Sequence, residues 1–405
     1  MTPAPTTPFY RRRERFDLPA ELVRCREFAP VTRVALPMGS ACFPVWLVTR
    51  YQEARRVLGN AALYSNSIDR MTQHLTEAFG EQAAARMTEL APGPLVVADP
   101  PEHTRLRRVL TPEFTAARMR LLTPRVEQIV AEHLDAMDTR GGPVDLVEAF
   151  ALPVPLLVIC ELLGVPYSDR AEFRKRGEAQ LDRSLSHEKR AAAAAESRSY
   201  MAELVRMKRA EPSTGLLGRL VARHGDELSD DDLIGIGTLL LLAGHETTAG
   251  MLALATLLLL EHPDQWSALG EDPAITDRAV EELLRFLSVV PHPTVRTALR
   301  DTMIGDQTIA AGDMVLCSIP GANRDPELTP HSDILDISRK PSGHLGFGHG
   351  IHHCIGAPLA RIEMRVALPE LARRFPTLRS AVALDELTFR TDSTVYGVQS
   401  LPVVW

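Results

Sequence analysis

Cysteine is scarce in this chain of 405 residues, and its placement excludes a disulfide framework. The five cysteines are odd in number and scattered, and no Cys-x-x-Cys pair is present. This spacing is typical of a reducing compartment in which most thiols are buried. The N-terminal stretch also lacks a basic region followed by an apolar run, so we predict a cytoplasmic protein.

An excess of positive charge is also missing, since the formal net charge is −7. A nucleic-acid-binding protein is usually basic overall or carries a basic stripe, so the charge argues against such a partner. The one basic run, residues 11–15, follows a start rich in Thr and Pro. We predict a disordered tail over residues 1–8 and a solvated arm that contains the basic run.

Long apolar runs are confined to one segment, residues 233–260, which is long enough to cross a bilayer. Its centre, residues 245–248, is polar, and a charged residue at mid-bilayer costs about 2.5–3.5 kcal/mol. We therefore predict no membrane contact but a helix over about 230–261 that is buried on all sides. Ser229 and Asp232 have the spacing of a capping box at its start.

The spacing of apolar residues predicts a mainly α-helical protein with a small β-rich part. From Asp99 to Ala268 the apolar residues recur every three or four positions, and Asp99 before two prolines predicts a helix N-cap. Residues 42–50 predict a strand, and short strands alternate with turns after Pro291. Without an internal repeat or linker, we predict one catalytic domain over residues 9–405.

The segment GHLGFGHGIHHCIGAPLA, residues 343–360, surrounds Cys354 with glycines and histidines. Three interpretations compete: an inert thiol in a glycine-rich turn, a zinc site, and a single thiolate ligand to a haem iron. Zinc takes four convergent ligands, whereas the adjacent side chains of His352, His353 and Cys354 rarely converge on one tetrahedral ion.

The haem interpretation uses the surroundings of Cys354. Backbone N–H groups of such a turn can donate to the sulfur, and the dipole of a helix over about 355–375 would favour the thiolate. Four glycines would let the backbone approach a flat macrocycle: Gly346, Gly348, Gly350 and Gly356.

The ten residues FGHGIHHCIG match, at all six fixed positions, the FGxGxHxCxG haem-binding pattern of the cytochrome P450 monooxygenases. The chain resembles the soluble bacterial members of that family. The resemblance implies the P450 fold with a long central helix that crosses the haem. It also implies a haem b with Cys354 as the iron ligand and contacts from Phe347, Gly348, His352 and Gly356. Such a thiolate favours O–O cleavage.

A second motif, AGHETT, places polar residues inside the long apolar helix. A helix kink lined by satisfied polar groups is the structural alternative. Thr247 can bond to the carbonyl four residues earlier or open the helix locally. The motif resembles the family's AGx(E/D)T pattern, which implies that Glu246 relays protons and that Thr247 holds the oxygen ligand. Ala243 and Gly244 would then lie against the haem, with Gly244 leaving room for it.

Charged residues elsewhere also match the family. Glu282 and Arg285 stand at i and i+3 and resemble its ExxR element, a structural support for the cysteine side of the haem. The family often adds a later arginine to this support. Ile334 occupies that position here, and we expect Arg324 to take the place of the missing arginine.

Buried haem propionates need cations or hydrogen-bond donors. In bacterial members of the family they are bound by a histidine and an arginine in an H-x-x-x-R pair, a strand arginine and a histidine of the cysteine motif. The matching residues are His103, Arg107, Arg296 and His352.

The resemblance implies a monooxygenase that inserts one atom of O2 into a bulky lipophilic molecule by hydroxylation or epoxidation. Its substrate would be a secondary metabolite, such as a polyketide or terpenoid, or a xenobiotic. Because the chain has no GxGxxG nucleotide loop, electrons from NAD(P)H should arrive through a ferredoxin and a ferredoxin reductase. A peroxide-driven or O2-independent haem-thiolate enzyme and a non-catalytic haem protein are the alternatives.

The substrate pocket is the least constrained part of the sequence. Apolar walls that contain methionine suit a bulky lipophilic molecule. We expect these residues to line the pocket: Met87, Leu240, Ala243, Val290, His292, Val295, Val395 and Tyr396.

Overall fold

The computed structural model describes residues 13, 15–38, 41–79, 93–169, 172, 175, 176, 179, 180, 185–211, 215–291, 295–391 and 393–405. Over these residues the chain is mainly helical with small sheets, which confirms the predicted fold class. The predicted tail over residues 1–8 lies outside the described residues.

The helices are numbered here in chain order. They are α1 (Ala20–Phe28), α2 (Tyr51–Gly59), α3 (Ile68–Phe79), α4 (Pro94–Val97), α5 (Glu102–Leu110), α6 (Ala116–Arg140), α7 (Pro153–Leu163), α8 (His187–Ala210), α9 (Leu216–His224), α10 (Asp230–Leu260), α11 (Pro263–Glu271), α12 (Thr276–Leu287), α13 (Ile319–Asn323) and α14 (Ala357–Arg374).

The strands are short and follow the same numbering. They are β1 (Val31–Met38), β2 (Ala41–Val48), β3 (Tyr64–Ser65), β4 (Val144–Asp145), β5 (Val295–Ala298), β6 (Thr302–Ile304), β7 (Gln307–Ile309), β8 (Met314–Cys317), β9 (Arg379–Ser380) and β10 (Pro402–Val404). The largest sheet has the order β1-β2-β8-β5-β3, in which β2 and β8 are parallel.

Helix α10 lies in the largest apolar core, between α7, α8 and α14. By length and composition it could cross a membrane, but 72% of its most apolar window is buried inside the protein. Its start has the predicted capping box: the Ser229 amide donates to Asp232 Oδ2 at 2.9 Å, and the Asp232 amide donates to Ser229 Oγ at 3.1 Å. Most of the surface of α10 is therefore buried, as predicted.

The five-stranded sheet is buried on both faces because alternate residues of β2 point to opposite sides. Phe43, Val45 and Leu47 belong to one apolar cluster, and Trp46 and Val48 belong to another. The buried sheet therefore fixes the position of β5. Strand β5 carries Arg296, one of the predicted cofactor ligands.

Two local predictions are wrong. Asp99 does not cap α5, which begins after Pro101; its carboxylate instead accepts hydrogen bonds from the Asn66 amide and the Ser65 hydroxyl. Arg13 is buried rather than solvated: it donates to the Ser288 carbonyl at 3.1 Å and lies 5.2 Å from the Tyr396 ring centroid. An aromatic face and a carbonyl take the place of water around this guanidinium, and burial lowers its pKa to about 10.

The capping box predicts a measurable contribution to stability. Replacing Ser229 with Ala removes the acceptor for the Asp232 amide and should lower the free energy of unfolding by about 1 kcal/mol. Urea unfolding monitored by circular dichroism measures this loss, and Ser229→Thr, which keeps the hydroxyl, is the matched control. An alanine variant as stable as the threonine variant would contradict the role of the cap.

Candidate active site

The cysteine motif folds into a tight turn directly before α14. The Cys354 amide donates to the Phe347 carbonyl at 2.9 Å, and the Gly348 amide donates to the Leu345 carbonyl at 2.8 Å. Helix α14 begins at Ala357, two residues later than predicted, with Gly356 at its N-cap. The turn therefore fixes the cysteine just ahead of the first helical amides.

Cys354 lies within the body of the protein, and the residue keeps accessible surface. Burial raises the pKa of this thiol, while the Gly356 and Ala357 amides that donate to the sulfur and the nearby Arg107 act in the opposite direction. The predicted backbone donors are present, but they lower the pKa of the thiol by less than burial raises it. A cation bound at the sulfur would supply the remaining stabilisation of a thiolate.

The four glycines of the turn serve two different purposes. A Cβ added at Gly350, where φ is +76°, would lie 2.6 Å from the Leu58 carbonyl oxygen, and one at Gly346 would lie 3.0 Å from that of Leu284. These two glycines allow protein segments to pack together, contrary to the prediction. A Cβ at Gly348 or Gly356 would meet no atom closer than 3.8 Å, so only these two leave open space beside the sulfur turn.

One face of α10 has accessible surface in the middle of an otherwise buried helix. Ala243 is exposed and Thr247, one turn later, is half-buried. The Thr247 hydroxyl donates to the Ala243 carbonyl at 2.7 Å, and α10 continues without a break. The sequence left two possibilities for Thr247: a bond to the carbonyl four residues earlier, or a local opening of the helix. The bond to the carbonyl is the one that forms.

Gly244 packs closely against a neighbouring helix. A Cβ there would lie 2.9 Å from Ile159 Cδ1, so its missing side chain makes room for the contact between α10 and α7.

Glu246 is fully buried and forms an ion pair that the sequence analysis missed. Arg390 Nη2 donates to Glu246 Oε2 at 2.9 Å. Nε2 of the equally buried His245 lies 3.2 Å from Oε1, an ion-pair distance when the ring is protonated. Burial raises the pKa of Glu246, but His245 and Arg390 outweigh burial and hold that pKa at about 2.

Four predicted propionate ligands come together from three separate parts of the chain. His103 and Arg107 lie on α5, Arg296 lies on β5, and His352 precedes the cysteine. The ring centroids of His103 and His352 are 4.2 Å apart. Burial, followed by Arg296, His103 and Arg107, lowers the pKa of His352 to about 3, and burial followed by Arg107 lowers that of His103.

This cationic cluster has donors without acceptors. His103 Nε2, Arg296 Nε and His352 Nε2 are buried and make no hydrogen bond within the described structure. The charge of Asp99 favours the protonated forms of His103 and Arg296. Its carboxylate, however, already accepts hydrogen bonds from Ser65 and Asn66. Buried donors of this kind require an anionic partner. A ligand with two carboxylates, a flat apolar body and a thiolate-binding metal fits these residues.

Comparisons with known proteins agree with this fit. A family model described as Cytochrome P450 matches residues 181–380. The chain is 46% identical over 409 residues to cytochrome P450 105C1 from a Streptomyces species, covering 100% of both chains. It is 41% identical over 377 residues to a vitamin D(3) 25-hydroxylase from Pseudonocardia autotrophica, covering 92% of this chain and 90% of that protein.

The fold agrees as well. The crystal structure of CYP105P1 in complex with filipin I superposes with a TM-score of 0.89 at 38% identity, covering 99% of each chain. The chain belongs to the cytochrome P450 family. It is therefore a monooxygenase, and its family uses a haem-thiolate centre, O2 and reducing equivalents.

Two arginines of the P450 share one buried carboxylate, Glu282. Arg285 donates to both oxygens of Glu282, at 2.7 and 2.8 Å. Arg339 Nε donates to Glu282 Oε1 at 3.1 Å, and the other nitrogens of Arg339 bind backbone carbonyls of residues 330–334. Arg339 thus supplies the second arginine, which the sequence analysis sought at Ile334.

Arg324 does not compensate for Ile334 as expected. It donates instead to the carbonyls of Phe286 and Phe16, and its guanidinium lies 3.4 Å from the Phe286 ring centroid. The Ile334 side chain is exposed, whereas its carbonyl accepts a hydrogen bond from Arg339 at 3.1 Å. The backbone, rather than the side chain, of this position contributes to the support.

The set of residues expected to line the substrate pocket stays a prediction. Met87 and His292 lie outside the described residues. The Tyr396 hydroxyl donates to the Arg15 carbonyl at 2.7 Å, and its ring stacks on Phe389. The other predicted residues differ in exposure: Leu240 and Val395 are buried, Val290 and Val295 are half-buried, and Ala243 is exposed.

The shared carboxylate predicts that Arg339 stabilises the folded P450. Arg339→Ala should lower the free energy of unfolding by about 1–3 kcal/mol, because a buried acceptor loses a charged donor. Urea unfolding measures the change. The control is Arg373→Ala, which removes an arginine from an exposed i,i+3 pair with Glu370 and should cost under about 0.5 kcal/mol. Equal losses in the two variants would contradict the support role.

The cationic cluster predicts which arginine retains the haem. Arg296→Gln should release haem to apomyoglobin roughly 10- to 100-fold faster, since a buried charged hydrogen bond contributes about 1.5–3 kcal/mol. Arg300→Gln removes the same charge at an exposed position a few residues later and should leave the rate unchanged. If both variants lose haem at the wild-type rate, Arg296 does not bind a propionate.

Proposed function

We propose that this P450 inserts one atom of O2 into a bulky lipophilic molecule by hydroxylation or epoxidation and releases the other atom as water. The observation that carries the proposal is the position of Thr247. Its hydroxyl lies on the accessible face of α10, next in sequence to the acid of the same motif. A peroxide-driven or O2-independent relative usually lacks this acid–threonine pair.

In this proposal Cys354 holds the iron of a haem b, and His103, Arg107, Arg296 and His352 bind its propionates. Phe347, Gly348, Gly356, Ala243 and the backbone at Gly244 would contact the haem. When bound, the haem supplies the redox chemistry that activates O2.

The protein's own contribution centres on Thr247. Because its hydroxyl proton is donated to the Ala243 carbonyl, the oxygen presents its lone pairs to the accessible side. Thr247 can therefore accept a hydrogen bond from a water molecule and hold it in place. Glu246 relays protons toward this water, and the surrounding apolar residues of α10 exclude bulk water.

The substrate is proposed to be a secondary metabolite such as a polyketide or terpenoid, or a xenobiotic. A relative is named a vitamin D(3) 25-hydroxylase, and a solved neighbour holds filipin I. The half-buried Val290 and Val295 and the exposed Ala243 suit an apolar ligand. Electrons from NAD(P)H would arrive through a ferredoxin and its reductase, and the P450 would act as a soluble cytoplasmic protein.

A spectral titration followed by turnover tests the proposal. Purified ferric protein is mixed with macrolides, terpenoids, steroids and aromatic compounds, and a substrate should shift the Soret band from the low-spin to the high-spin position. With ferredoxin, reductase and NADPH, that compound should gain one oxygen atom from 18O2 by mass spectrometry. Spin-shifting compounds that never gain labelled oxygen, in protein that oxidises NADPH, would contradict monooxygenation.

The matched control is Thr247→Ala. It removes the hydroxyl that faces the accessible side without changing the apolar surroundings. It should keep the spin shift but release more peroxide per NADPH, because the water beside the haem is no longer held.

A further inference from the structure

We propose that Arg361 makes the ferric haem easier to reduce, and that Glu281 is the positioning residue that holds the Arg361 guanidinium over the Phe347 ring. This inference rests on the proposed ligation of haem iron by Cys354. It adds to the centre a cation outside the cysteine motif, in the second turn of α14.

Glu281 binds Arg361 through both of its carboxylate oxygens. Arg361 Nε donates to Oε1 at 2.6 Å and Nη2 donates to Oε2 at 2.9 Å, which joins α14 to α12. Two parallel hydrogen bonds fix the orientation of a guanidinium as well as its distance from the carboxylate. The Glu281 side chain keeps 15% of its surface exposed and that of Arg361 keeps 25%, so solvent has limited access to the pair.

A histidine ties the same carboxylate to the turn that leads to Cys354. His344 Nε2 donates to Glu281 Oε2 at 3.1 Å, while its Nδ1 accepts the Gly346 amide at 3.0 Å. These two bonds assign the ring proton to Nε2. Burial raises the pKa of Glu281, but Arg361 and His344 outweigh burial and hold that pKa at about 2. The carboxylate is therefore ionised near neutral pH and keeps its hold on Arg361.

The guanidinium that Glu281 holds lies against the first side chain of the cysteine motif. Its carbon atom is 4.6 Å from the Phe347 ring centroid, a cation–π contact. The Phe347 carbonyl in turn accepts the Cys354 amide at 2.9 Å. The positive end of the ion pair is therefore in contact with the residue that is bonded to the backbone of the iron ligand.

The charge of Arg361 also acts on the sulfur. Burial raises the pKa of the Cys354 thiol, and the charges of Arg107 and Arg361 act against it. Arg107 belongs to the cluster proposed to bind the propionates, so the cofactor supplies its counter-ion. Arg361 has no such role, and its charge continues to act on the centre once haem is bound. A positive charge near a metal centre favours the form that carries one more electron.

A spectroelectrochemical titration of the substrate-free, haem-loaded protein tests the charge without a partner or turnover. At the potential where the wild type is half reduced, Arg361→Gln should lower the ferrous-to-ferric ratio severalfold, and Arg361→Lys should restore most of it. The matched control is Arg365→Gln, which removes the same charge one turn later on α14 from an exposed ion pair with Asp277. It should leave the ratio unchanged. Equal ratios for Arg361→Gln and Arg365→Gln would overturn the inference.

The positioning role of Glu281 is tested by a double-variant cycle with the same readout. Glu281→Gln removes the charge that holds the guanidinium, so Arg361→Gln should change the ratio much less in that background than in the wild type. A shift of the same size in both backgrounds would show that Arg361 keeps its place without Glu281, contrary to the proposal.

Two further measurements separate this inference from its neighbours. If the reduced wild-type protein under carbon monoxide lacks the red-shifted Soret band of thiolate ligation, the proposed ligation fails, and the inference fails with it. If that band is present and Arg361→Gln keeps the wild-type ratio but is reduced more slowly by ferredoxin, Arg361 serves partner docking and the inference alone is overturned.

Discussion

A buried cluster of two arginines and two histidines is the constraint on which the architecture of this P450 depends. His103, Arg107, Arg296 and His352 crowd together, and the low pKa of His352, about 3, shows that another proton there is strongly disfavoured. A dianion removes this penalty, because each buried donor then gains a charged acceptor. Helix α5, strand β5 and the cysteine turn are far apart in sequence, and the five-stranded sheet and the helical core bring them together. The cofactor is thus expected to stabilise the fold as well as to serve the reaction.

Helix α10 divides the chemistry between two of its faces. The face with Ala243 and Thr247 stays accessible and offers a hydroxyl oxygen whose proton is already committed to the helix backbone. The face with Glu246 is packed and carries a charge that Arg390 neutralises. The ion pair keeps an ionised acid from being stranded in apolar surroundings.

Short-range patterns were the part of this protein that the sequence could predict. The capping box of α10, the cysteine turn and the Glu282–Arg285 pair depend on residues within a few positions of one another, so periodicity and motif reveal them. Arg339 and Arg390 were missed because they meet their carboxylates across 57 and 144 positions. Arg13 was misassigned for the same reason, since only the folded chain shows that Tyr396 and Ser288 surround it. The roles of the glycines also depend on tertiary packing, as Gly244 against Ile159 shows.

The central claim is that Cys354 binds haem iron as a thiolate, and the spectrum of the dithionite-reduced protein under carbon monoxide tests it most directly. The account predicts the strongly red-shifted Soret band that thiolate ligation gives, and its loss in Cys354→Ser. A Soret band at the shorter wavelength typical of histidine or thiol ligation in well-folded, haem-loaded protein would contradict it. So would a red-shifted band that survives the serine substitution.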